Sequence, residues 1–103
     1  MSRFIKGQPV KINKISNTVK FKIADRINAL RNNTLLESHI QACHDSIEAV
    51  YSNNTLTSIM NALNKHCNRV EKVRDTIQWT SMVNNYLEIM ETIKQIVKEE
   101  IKD

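Results

Sequence analysis

Two cysteines and three histidines are the side chains of this sequence best suited to hold a metal or carry a nucleophile. His39, Cys43 and His44 stand close together, and His66 and Cys67 follow further along the chain. On a helix, His39 and Cys43 share a face. A helical hairpin turning near Asn53 and Asn54 would bring Cys67 to within about one turn of them. Zinc is held by a tetrahedron of nitrogen and sulfur ligands, and His39, Cys43, His66 and Cys67 are the inventory for one. The spacing matches no zinc signature, however, and no CxxC is present. Both cysteines also fall in apolar seams, where a free thiol packs as a small hydrophobe. No metal and no other cofactor is expected. Two cysteines do not make the disulfide framework of a secreted domain, so a cytoplasmic setting is the expectation.

Nothing in the sequence assembles a catalytic site. Cys43 and His44 are neighbours, which points their side chains apart on a helix, whereas a nucleophile and its base need hydrogen-bond reach. The carboxylates Glu37, Asp45, Glu48, Glu71, Asp75, Glu88 and Glu91 are spread along the chain beside basic residues. Gly7 is the only glycine, too few for a phosphate-cradling loop. The expectation is a protein that is not an enzyme.

Charge carries the sharper signal. Arg3, Lys6, Lys11, Lys14, Lys20, Lys22, Arg26 and Arg31 face only Asp25 within residues 1–31, a net of +7; the remainder holds seven basic and ten acidic residues, a net of −3, for a total of +4. Clustered cations neutralise phosphates and release counterions, giving an affinity that falls with salt. Phe4 and Phe21 lie among these cations, where they could stack on bases or anchor the segment to a core. The eight basic residues are therefore the expected contacts to nucleic acid, or to an acidic protein surface. No helix-turn-helix, zinc-finger or RNA-binding signature accompanies them. Two other functions fit the same sequence. One is a regulator or inhibitor that docks on a protein complex, as a phage or viral factor does. The other is an oligomeric assembly component. The abundance of Asn, Ile and Lys is typical of AT-rich coding sequence and suits a viral or phage origin.

These side chains need a scaffold, and the scaffold reads as all-α. Neither glycine nor proline occurs after Pro9, which starves a sheet of its turns. The length suits one domain: an extended basic arm over residues 1–16 and a helical domain over 17–103. Val19, Ile23, Ile27 and Leu30 recur at helical spacing after a cap at Asn17 or Thr18. The alternation of residues 10–23 offers a short β-hairpin as the alternative. Thr34 and Glu37 form a capping-box pattern ahead of a seam of Leu36, Ile40, Cys43, Ile47 and Val50. A third helix starts near Thr55 with Leu56, Met60, Leu63, Cys67 and Val70. A fourth carries Trp79, Val83, Tyr86, Met90, Ile93 and Val97, widened by Met82, Ile89 and Ile96. Its phase predicts a break near 75–81, capped by Asp75 or Thr80, with one continuous helix from 55 to 101 as the alternative. The sum is a small antiparallel bundle of three to four helices with an extended basic arm. The wide stripe on the last helix suits a homodimer. No segment is apolar enough to span a bilayer, so no membrane partner is expected.

Overall fold

The computed structural model describes residues 14–73 and 80–101. Four helices make up these residues: α1 (Asn17–Asn32), α2 (Glu37–Ser52), α3 (Leu56–Glu71) and α4 (Thr80–Glu100). Among the described residues there is no strand, and no helix is long and apolar enough to cross a membrane.

The hairpin alternative fails from residue 17 onward, because Val19–Ile23 lies inside α1; residues 10–13 lie outside the described residues. The helical period persists further than the alternation. It buries Ile23, Ala24 and Ile27 on one face, with Val19 and Leu30 packed at its margins. The cap is Ser16, not Asn17 or Thr18, and its Oγ accepts the Val19 N–H at 3.3 Å. Ile15 sets this boundary. Its side chain enters the core and its N–H donates to the Asn54 carbonyl at 2.7 Å, holding the chain extended until Ser16.

The Thr34–Glu37 capping box does not form. The Thr34 hydroxyl is used locally instead, accepting the Leu36 N–H at 3.2 Å and meeting His39 Nδ1 at 3.1 Å. A threonine that bonds its own turn is lost to the helix end. α2 therefore starts after Leu36, with no side chain capping it. Its buried face is also rotated from the expected seam. Leu36 and Ile40 are exposed, while Ser38, Ala42, Ser46 and Ala49 join Cys43 and Val50 inside.

α3 begins at the expected residue. Thr55 and Ser58 exchange backbone and side-chain bonds, each at 3.1 Å, a reciprocal cap that satisfies two otherwise orphaned N–H groups. Ile59, Leu63 and Cys67 are its buried residues. α3 ends at Glu71, followed by a turn at Lys72 and Val73, so the chain is broken between α3 and α4 and the single long helix is excluded. Of the predicted break at 75–81, residues 75–79, with Asp75 and Trp79, lie outside the described residues, and Thr80, the other expected cap, is the first described residue of α4. α4 buries Val83, Tyr86, Met90, Ile93, Ile96 and Val97, as its spacing predicts.

α2 and α4 run in the same direction and pack together: Asp45 meets Tyr86 and Ser46 meets Met90. α1 and α3 flank this pair on opposite sides and do not touch each other. α2 thus packs against all three other helices. Small residues on its buried face let three neighbours approach it at once, since side-chain size sets the distance between helix axes.

Candidate functional site

Of the eight basic residues expected to contact phosphates, Arg3, Lys6 and Lys11 lie outside the described residues. The other five do not converge. Lys20 is buried, 5% exposed, with Nζ donating to Asn54 Oδ1 at 3.0 Å and to the Tyr51 carbonyl at 3.5 Å. Arg26 is paired with Glu99 and Glu100, each at 3.0 Å. Lys22 is exposed, but Arg31 is about two and a half turns further on and so points to the opposite side of α1. There it lies beside His44 and Glu48 of α2. Lys14 is exposed at the entry to α1. Among the described residues, no carboxylate lies within 4.0 Å of Lys14, Lys22 or Arg31. The pairing of Arg26 and the burial of Lys20 link residues far apart in sequence, and no local pattern signals either.

The thiols and imidazoles do not converge either. His39 is engaged with Thr34, and His66 Nδ1 lies 2.7 Å from Arg69 Nη2. Burial pushes the Cys43 and Cys67 thiols up, which disfavours the thiolate a metal needs. Among the described residues, no three His, Cys, Asp or Glu side chains are placed to share a metal ion.

The feature with the makings of a binding site is a groove of about 630 Å³ where the N-terminal halves of α2 and α4 meet the C-terminal end of α3. Val70 of α3, Val73 of the turn that follows it, and Met82 and Val83 of α4 give it an apolar lining, and Arg69 of α3 adds a cation. Val73 and Met82 are 45% and 40% exposed, well above the core. No α1 residue lines this groove; the ion pairs of α1 to α4 lie at the other end, at Glu99 and Glu100. Glu37 and Asp45 of α2 stand on the rim.

Asp45 is held in a fixed orientation. Its Oδ2 accepts the Tyr86 hydroxyl at 2.7 Å and its Oδ1 accepts Gln41 Nε2 at 2.8 Å. Both donors are neutral, and no cation lies within 4.0 Å of the carboxylate among the described residues. The carboxylate therefore faces the groove with two neutral hydrogen-bond donors and no direct ion pair, while Arg69 of α3 lines the same groove and acts electrostatically on Tyr86. The sequence showed Asp45 only as one of several scattered acids; the Gln41–Asp45 spacing was the one visible hint of its role. Tyr86 feels the same environment. Burial, then its bond to Asp45, pushes the phenol above the usual tyrosine range.

That shift has a testable sign. A phenol whose proton is held more tightly in the folded state adds stability below the unfolded pKa of about 10, and the stability is lost as pH rises past it. In a Tyr51→Phe background Tyr86 is the sole tyrosine. Its tyrosinate absorbance should then appear only together with alkaline unfolding. Ionisation with the fold intact would contradict the buried bond to Asp45.

Comparison with family models, with characterised proteins and with solved structures finds no match to this chain. Fold and groove together define, among the described residues, a small four-helix bundle with an apolar cleft at one end that also holds Glu37, Asp45 and Arg69.

Proposed function

We propose that this protein is a binding module for other proteins, which takes a short segment carrying apolar side chains next to a lysine or arginine. The observation that carries this reading is Asp45: an oriented carboxylate with no direct ion pair, beside exposed Val73 and Met82. A groove between helices accepts apolar anchors, and a charged rim selects their flanks. Glu37 adds a second acid to that rim. A cation of the partner would give Asp45 the direct ion pair it lacks, and a charged partner of a hydrogen-bonded carboxylate is worth more than a neutral one.

The experiment is selection of random dodecapeptides on the immobilised protein, with survivors re-tested on Asp45→Asn and Met82→Ser. Enrichment of Lys or Arg beside apolar residues is expected, with binding to either variant weaker by about tenfold or more. Survivors with no such pattern, or with equal affinity for both variants, would refute the groove. Light scattering of the free protein tests the competing occupant, a second copy of this chain, through a concentration-dependent dimer.

Nucleic-acid binding is the second reading, favoured by Lys14 and Lys22, which are exposed and adjoin the remaining arm cations in sequence. It predicts retention on generic DNA or RNA at ~50 mM salt that collapses by ~200 mM. Lys22→Ala should weaken it and Lys20→Met should not, because Lys20 is buried. Equal effects of the two would count against a phosphate-contacting surface on α1.

A further inference from the structure

We infer that Arg69 gives the α2–α3–α4 groove a second charge selection, so that the partner segment carries an aspartate or glutamate as well as its lysine or arginine and its apolar side chains. This deepens the reading of the groove as a protein-binding site and rests on it. The charges of the groove stand on different helices. Glu37, Gln41 and Asp45 follow one another at four-residue spacing and form one ridge of α2. Arg69 comes from α3, and α4 adds apolar Met82 and Val83 to the same groove.

Each charge is held by hydrogen bonds that do not involve the other. Asp45 accepts from Gln41 and from Tyr86. Arg69 Nη2 lies 2.7 Å from Nδ1 of His66, which is three residues earlier on α3 and so on the same face. A guanidinium can only donate, so His66 Nδ1 is the acceptor. Among the described residues, no carboxylate lies within 4.0 Å of Arg69, and the residue is exposed. The N–H groups that His66 does not engage remain available. A planar fork of this kind takes a carboxylate through two parallel bonds. Asp45 has matching capacity, because each carboxylate oxygen can accept more than one donor. Had Asp45 and Arg69 paired directly, they would have satisfied each other and left little for a partner. An acid on one helix and a base on another also set direction. A segment docked the wrong way round, or one carrying only cations, brings like charges together and loses affinity. The groove thus selects an order of charges along the segment, and not composition alone.

The test repeats the dodecapeptide selection on wild type and on Arg69→Glu, with Arg69→Gln as the variant that removes the charge without reversing it. Wild-type survivors should carry Asp or Glu at a fixed distance from Lys or Arg. Their affinity should fall about tenfold or more on Arg69→Glu, and less on Arg69→Gln. Changing the peptide's acid to lysine should restore binding to Arg69→Glu while weakening it on wild type. Urea unfolding checks that both variants fold. If Arg69→Glu does not, Arg69→Gln and peptides with the acid changed to alanine carry the comparison. Peptides that keep full affinity when their acid becomes alanine overturn the inference. If those peptides still weaken on Asp45→Asn and Met82→Ser, the groove stands and only the role of Arg69 falls. If none of these variants changes binding, or no peptide is selected, both fall. A dimer of the free protein that dissolves in Asp45→Asn and in Arg69→Gln also overturns it, because a second copy then fills the groove.

Discussion

Replacing Ala42 with leucine should destabilise the protein by about 1–3 kcal/mol, as extra methylenes forced into a filled interior do. Ala42 is fully buried on α2, the helix that packs against all the others. An added isobutyl group there must push at least one neighbouring helix away from its contacts. Domains of this size are stable by only ~5–15 kcal/mol, so the loss is a large share of the total. The control is Ile40→Ala. Ile40 is a large apolar residue in the same helix, but 39% exposed, and its truncation should cost about 0.5 kcal/mol or less. Urea unfolding measures both. The midpoint should fall for Ala42→Leu with the slope unchanged, and stay near wild type for Ile40→Ala. The reverse order would mean that the expected Leu36–Ile40 seam, and not the small-residue face, is the one packed inside.

That contrast shows where the sequence is legible and where it is not. α1 and α4 bury stripes of large apolar residues, and Ile23, Ile27, Val83, Met90 and Ile93 stand out by spacing, although α4, like α2, packs against all three other helices. α2 is central. Its burial follows side-chain size as much as hydropathy, so Ser38 and Ser46 go in while Leu36 and Ile40 stay out. Ser46 loses little by this, because its hydroxyl finds Met90 Sδ at 3.3 Å. The basic segment is misleading for a related reason. Charge is counted along the chain, but its availability is decided by residues elsewhere. Glu99 and Glu100 neutralise Arg26, and the α2–α3 turn takes up Lys20. The groove is built from three helices, and only its individual residues can be read in sequence. The placing of Asp45 and Arg69 in one groove without a direct ion pair follows from how the helices pack, which no spacing encodes.

Lys20→Glu should be the most damaging single charge change in α1, costing about 3–5 kcal/mol, whereas Lys20→Met should cost roughly 0–1 kcal/mol. The Lys20 ammonium sits against two oxygen acceptors, Asn54 Oδ1 and the Tyr51 carbonyl. A carboxylate in that place would face acceptors with no donor, a buried charge with its hydrogen bonding inverted. Methionine keeps much of the length and apolar stem. It leaves Asn54 Oδ1 without its donor, but Asn54 is exposed and water can replace the bond. Removing the acceptor is the worse half of the exchange: Asn54→Ala strands the ammonium and should cost about 1–3 kcal/mol. Combined with Lys20→Met, the asparagine substitution should cost less than it does alone, because there is no longer a charge to strand. The Asn54 backbone carbonyl also receives the Ile15 N–H, so this residue ties both the segment before α1 and α1 itself to the α2–α3 turn. Urea denaturation of the four proteins closes the cycle. A Lys20→Glu chain as stable as wild type would show that the side chain escapes to solvent. Lys20 would then return to the set of cations free to meet a phosphate, and the case against a basic surface on α1 would weaken with it.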